Sequence, residues 1–225
     1  MTAGLIKKII RSKRKTLGLQ IMPDAGLIVR APEKTSLETI QKVVHKKLPW
    51  ILQKQRIVRE TYKPPLKKEF VNGEGLLYLG ELYKLFIVEQ ASVPLVFDCK
   101  EFLLCCKHLS EAHSLLVSWY RQEALTVISQ RLKLYADNAG LKYNGIKITN
   151  AEKRWGSCSS KALMNFSWRL IMAPMKVVDY VVVHELVHLR ERNHSKKFWQ
   201  NVRLILPHYQ EAKLWLSTNN HLLTF

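Results

Sequence analysis

Apolar residues recur with two periods along this chain, and each change of period marks a new element. Over residues 5–31 the runs are short: Leu5–Ile10, Thr16–Ile21 and Leu27–Val29 are β-prone. Arg11–Lys15 and Pro23-Asp24-Ala25-Gly26 break them, so three strands are predicted. The basic run Lys7, Lys8, Arg11, Lys13, Arg14 and Lys15 then reads as a solvated hairpin. The period next lengthens. Leu37, Ile40, Val44, Leu48 and Ile51 fall three or four residues apart, which predicts an amphipathic helix. Thr35-Ser36-Leu37-Glu38 has the T-x-x-E form of a capping box at its start. Pro49 should kink this helix or begin a second one, because proline removes a donor and crowds the preceding turn. Lys42, Lys46, Lys47 and Lys54 paint the wet side, and Lys63-Pro64-Pro65 closes the unit.

Residues 66–106 return to strand character. Leu76–Leu79, Leu82–Val88, Leu95–Phe97 and Phe102–Cys106 are punctuated by Gly73, Gly75 and Gly80, read as hairpin turns rather than a phosphate loop. A long helix follows, with Ser110 as its candidate cap. Leu116, Trp119, Tyr120, Val127, Ile128, Leu132 and Tyr135 form its stripe, and Gly140 stops it. His108 and His113, at its start, have no partner at ligand spacing. Asn144-Gly145 opens a strand at Ile146–Thr149, Lys153–Ser160 reads as a polar turn, and Leu163–Leu170 alternates as the next strand. Pro174 suits the first turn of another helix, Ser195 can cap the one after it, and Pro207 precedes a last helix near Tyr209–Ser217.

The helix after Pro174 carries the chain's most informative residues. His184-Glu185-Leu186-Val187-His188 is an HExxH motif, with Asn193-His194 beyond it. Four helical residues turn by about 400° and rise by about 6 Å, so His184 and His188 share a face. Two imidazoles so spaced can grip one Zn²⁺, and Glu185 stands beside the metal as a general base for attacking water. Val177 and Val181 fall on the same face, which makes it continuous with an apolar one. A catalytic zinc takes three protein ligands and keeps a position open. His194 is the chosen third ligand, with Asn193 able to supply the turn; Glu191, Glu211 and His208 are the rivals. Arg154, in the polar turn, is the candidate for stabilising a developing oxyanion.

Charge adds partners to this picture. The chain of 225 residues holds 36 Lys+Arg against 18 Asp+Glu, a net +18. Residues 1–70 alone hold 17 basic and 5 acidic side chains. Such a surplus favours anionic partners: nucleotides, or nucleic acid bound through the basic N-terminal part. The four cysteines, Cys99, Cys105, Cys106 and Cys158, lack zinc-finger spacing and read as free thiols of a reducing cytoplasm. The first apolar runs are two residues long, short of a signal-peptide core, and no uncharged run reaches about 18 residues, so no membrane span is expected.

Lys153-Arg154-Trp155-Gly156-Ser157-Cys158, Asn165-Phe166-Ser167-Trp168-Arg169-Leu170, His184–His188 with Asn193-His194, and Phe198-Trp199 together resemble the YgjP-like metallohydrolases. These are small zinc proteins related to the minigluzincin and SprT-like peptidases. Arg11-Ser12-Lys13-Arg14-Lys15-Thr16 and Val29-Arg30-Ala31-Pro32 are similar to the family's opening, so the resemblance spans nearly the whole chain. It implies an α+β fold in which a β-rich basic part with a helical insert, residues 1–109, precedes a zincin-like catalytic part carrying HExxH, residues 110–225, the two forming one unit. It also implies His184, His188 and His194 as zinc ligands and Glu185 as the base. Members are labelled metallopeptidases, while the name-giving one is described as a UTP pyrophosphatase. Three readings therefore enter the structural comparison: zinc peptidase first, nucleoside-triphosphate pyrophosphatase second, and a nucleic-acid-binding protein with structural zinc third.

Overall fold

The computed structural model describes residues 5–22, 24–61 and 68–224. Lys63-Pro64-Pro65 and Pro23 lie outside them. The fold is mixed α+β, and the chain divides into two compact units, Met1–Pro64 and Pro65–Phe225. The charge surplus sits in residues 1–70, while contacts group the strands after Pro65 with the helices that follow them.

In the first unit, β1 (Ile6–Ser12), β2 (Gly18–Ile21) and β3 (Leu27–Pro32) form a sheet in the order β1-β3-β2. The strands expected at 5–10, 16–21 and 27–29 are present, but β1 and β2 are not a hairpin. β3 lies between them, parallel to β1 and antiparallel to β2. The reason is burial: Leu27, Val29 and Ala31 alternate with fuller burial than any residue of the neighbouring strands, so β3 takes the centre. Arg11 leaves the β1 edge to donate to the carbonyls of Pro32, Glu33 and Thr35 at 3.3, 2.9 and 2.6 Å. Of the two outcomes expected at Pro49, the structure takes the second: α1 (Leu37–Lys46) ends and α2 (Leu48–Thr61) begins, with Pro49 in the first turn of α2, where its missing N–H is harmless. The cap of α1 is Ser36, not Thr35; its Oγ accepts from Thr39 N–H, while the Thr35 N–H is spent on Pro32. Ile40, Val44 and Ile51 complete the core against β3.

The second unit begins with β4 (Gly75–Tyr78), β5 (Glu81–Val88), β6 (Leu95–Phe97) and β7 (Glu101–Cys105), ordered β4-β5-β7-β6. A 3₁₀ turn at Cys106–Glu111 then leads into α3 (Ala112–Ala139). Ser110 falls inside that turn and caps nothing; Glu111 holds the N-cap position without a side-chain bond. Gly140 ends α3 in the left-handed region at φ 62°, as expected of its type. One residue in four of α3 is buried, from Ala112 through Leu116, Tyr120, Ala124, Ile128 and Leu132 to Ala136.

A second sheet follows, from β8 (Gly145–Thr149), β9 (Gly156–Cys158) and β10 (Leu163–Ser167), in the order β8-β10-β9. The stretch read as a polar turn thus contains a strand. Gly-Ser-Cys has no β-branched residue and no alternation, and its pairing comes from β10. After a 3₁₀ turn at Trp168–Met172 come α4 (Met175–Val187), α5 (Lys196–Ile205) and α6 (Tyr209–Asn219). Two bonds position α4: the β4–β5 turn donates Leu79 N–H to Ile171 and Gly80 N–H to Met172, just before the helix. Gly80 fits there because it has φ +88° and a Cβ would stand 2.7 Å from Pro174. The sequence pattern predicts one buried face on α4. In the fold ten of its thirteen residues are buried, because α3, α5, α6 and β9 surround it. Among the described residues no helix is long and apolar enough to cross a membrane.

Candidate metal centre

The site lies wholly in the second unit. His184 is in the last turn of α4, and His188 caps its C-terminus. His194 stands just before Ser195, which caps α5 by accepting from Phe198 N–H. The chain therefore leaves one helix, turns through residues 189–193 and starts another within reach of the first. Asn193 shapes that turn, its Oδ1 accepting from Ser195 N–H at 3.2 Å. The three rings converge. His184 Nε2 and His194 Nε2 are 2.9 Å apart, and one nitrogen from each histidine lies within 4.8 Å of the others. Phe198, fully buried, is their floor: its ring centroid is 4.9, 4.7 and 4.7 Å from those of His184, His188 and His194.

The donor set suits a borderline-soft divalent cation. His188 Nδ1 lies 3.0 Å from the Glu191 carbonyl; donating there leaves Nε2 with a lone pair. Glu191 contributes that carbonyl, and its carboxylate turns to Lys197 at 2.6 Å. Burial, reinforced by His188 and His194, holds His184 down to about 3, and burial also lowers His194, so both rings stay neutral, as ligation requires. His184 Nδ1 is buried with no hydrogen-bond partner, and its Nε2 meets another imidazole. A cation at the focus of the three rings would take the Nε2 lone pairs of His184 and His194, which otherwise face each other. His208 and Glu211 are not part of this cluster.

Glu185 is buried on the adjoining side of α4. Burial raises its carboxyl to about 7, against the lowering effects of the Cys158 N–H, which donates to it, and of Arg154. Gly156 makes that approach feasible: a Cβ there would lie 2.6 Å from Glu185 Cγ and 2.7 Å from Oε1. Arg154 itself is exposed and lines a separate depression with Asn150–Lys153, so it reaches Glu185 through its field rather than by contact. A cleft of about 280 Å³ is lined by Gly156, Ser157, Cys158, the three histidines, Glu185 and Arg192.

Strand β9 borders this cleft as an edge strand. Ser159 N–H donates to Leu163, and Trp155 C=O accepts from Ser167, so the odd-numbered residues face β10. Gly156 and Cys158 therefore turn their backbone groups to the free edge, where Glu185 takes the Cys158 N–H. The sequence assigns no site role to Gly156, Cys158 or Arg192. It also gave no sign of Lys213 on α6, whose charge helps lower His184 and His194 and whose Nζ sits 3.9 Å over the Trp199 ring. Their roles depend on contacts distant in sequence.

An α+β fold with three histidines and a buried glutamate around one cleft defines a metal-dependent hydrolase. The chain belongs to the YgjP-like family: the family model described as "YgjP-like, metallopeptidase domain" matches residues 15–219. Two solved structures that match are the crystal structures of the metallopeptidase zymogens abylysin, from Pyrococcus abyssi, and jannalysin, from Methanocaldococcus jannaschii. Each is 18% identical, with 40% of this chain and 93% of the other covered and a TM-score of 0.37. No curated protein matches the chain.

Proposed function

We propose that this protein is a zinc-dependent peptidase, with His184, His188 and His194 holding the ion and Glu185 as general base. The observation that carries the peptide reading is the free edge of β9. An extended substrate can add to that edge through the Gly156 N–H and C=O and the Cys158 C=O, which brings its backbone alongside Glu185. When bound, zinc supplies Lewis acidity, polarising the scissile carbonyl and lowering the pKa of water towards about 7. Glu185 accepts a proton from the attacking water as its oxygen bonds to the carbonyl carbon. It returns that proton to the nitrogen as the C–N bond breaks, and its burial on α4 favours holding the proton between the two steps. Arg154 acts on this step electrostatically, favouring the ionised form of Glu185. The four free thiols suit a reducing, cytoplasmic setting.

A second reading, nucleoside-triphosphate pyrophosphatase, is favoured by the cations Arg154, Arg192 and Lys213 around the site and by the net +18. Parallel assays of the zinc-loaded protein on casein-derived peptides and on UTP separate the two. The peptidase reading expects peptide cleavage; cleavage of UTP with intact peptides would overturn it.

Two further outcomes are expected. His194→Ala should weaken zinc binding by more than about 100-fold, beyond the 10- to 100-fold typical of losing an outer-shell partner. Competition with a chromogenic chelator measures this, and unchanged affinity would remove His194 from the ligand set. Gly156→Ala should displace the Glu185 carboxylate, since the new methyl would occupy its place. Misplacement of about 1 Å costs on the order of 10²-fold in rate, so kcat should fall by about that factor while zinc content stays near one per chain.

A further inference from the structure

We propose that Arg192 reads a carboxylate on the substrate, so that the enzyme prefers peptides bearing an anionic group close to the scissile bond. This rests on the peptidase reading for the nature of the substrate and on the geometry of the cleft for the anion. Arg192 lines the same cleft as Glu185 and the three histidines. Its guanidinium is held at one end of β9: one terminal nitrogen donates to the Ser159 carbonyl at 3.0 Å and the other to the Ser160 carbonyl at 3.4 Å. It also contacts the Cys158 thiol. The head group is therefore positioned in advance, although the residue is exposed.

No carboxylate answers its charge. Among the described residues Arg192 is in no ion pair. Glu191, its neighbour, is bound to Lys197, and Glu185 accepts from the Cys158 N–H. A guanidinium has five N–H donors in a planar fork, and two bonds to carbonyls leave donors free for a bidentate acceptor. Arg192 and the Gly156–Cys158 stretch of β9 line the same cleft, where a bound chain would run. Because the anchor is at the Cys158 end of that strand, the group it reads belongs to one side of the scissile bond. An acidic side chain and a free C-terminal carboxylate offer the same chemistry there.

The test compares three peptides of one core sequence: amidated and neutral, amidated with a glutamate moved stepwise across the scissile bond, and neutral with its C-terminal carboxylate free. Zinc-loaded wild type, Arg192→Gln and Arg192→Lys are assayed on each. The wild type should cleave at least one carboxylate peptide with a KM about 10-fold or more below that of the neutral one. Arg192→Gln should shrink that difference by raising KM for the carboxylate peptide about 10- to 100-fold more than for the neutral one, with the loss confined to KM rather than kcat. Arg192→Lys should restore part of the preference, since it keeps the charge but loses the fork. Which peptide responds identifies side chain or terminus as the source. Equal kcat/KM for all three peptides in the wild type, or an equal fall in kcat on all three in Arg192→Gln, overturns the proposal. Calorimetric titration with succinate and with pyrophosphate separates its failure from that of the peptidase reading. If no peptide is cut, succinate binding lost in Arg192→Gln upholds the carboxylate site; binding of pyrophosphate alone, or binding indifferent to the substitution, rejects it.

Discussion

Glu185→Gln should lower kcat by about 10²- to 10⁴-fold, the range a positioned general base contributes, with zinc content unchanged. The substitution isolates the proton-transfer role because it preserves everything else the structure shows at that position. Glutamine has the same shape, so it still fits against Gly156. Its amide oxygen still accepts the Cys158 N–H. It also replaces a buried ionisable group with a neutral one, so the fold is not destabilised by an uncompensated charge. Glu185→Ala is the harsher control, since it adds a cavity to the loss of the base. Steady-state kinetics with metal analysis on the same preparation decides the matter. If Glu185→Gln keeps full activity, Glu185 is not the base and the mechanism proposed above fails. If zinc is lost with activity, Glu185 belongs to the metal's support instead.

What the sequence could show about this site was set by distance along the chain. His184, Glu185, His188 and His194 fall within eleven consecutive positions, and helix geometry alone brings the first three together. The turn to His194 was also legible, because Asn193 and the Ser195 cap are local signals, and both make the bonds their types favour. Glu185 against Gly156 is different. The contact spans two elements with a whole strand between them, and glycine marks its place only by lacking a side chain. The same holds for β9, whose three residues have no strand propensity and pair because β10 offers an edge. Arg192 carries no local signal of its own, and only its anchorage on Ser159 and Ser160 distinguishes it.

The fold was legible to a similar depth. Most strands and helices fall within a residue or two of the spans their periodicity predicts. The misreadings concern order and caps. Strand order in the first sheet depends on which strand is most buried, and that is a property of the packed unit, not of the basic run between β1 and β2. Ser110 has the right chemistry for a cap but sits in a 3₁₀ turn that delays α3 until Ala112.

Arg131→Met should cost the second unit about 3–5 kcal/mol, the largest single loss of stability expected here outside the apolar core. Arg131 on α3 binds Asp179 on α4 with both ends of its fork, Nε to Oδ1 at 2.5 Å and Nη2 to Oδ2 at 2.7 Å. The Asp179 side chain is only 11% exposed, and Arg131 is 28% exposed. Removing the arginine strands a carboxylate between two packed helices, where solvent cannot replace the lost donors. At about 2–4 °C per kcal/mol for a unit of this size, the midpoint of thermal unfolding should drop by roughly 6–20 °C. The double variant Arg131→Met with Asp179→Leu should recover most of the loss, because the cost lies in the orphaned charge rather than in the missing attraction. A single variant that loses under about 1 kcal/mol would mean that Asp179 is hydrated in solution. A double variant no better than the single would mean that the pair holds α4 in place by its geometry. In that second case the consequence extends to the metal centre, since Asp179 precedes His184 by little more than one turn of the same helix, and zinc affinity should fall with stability.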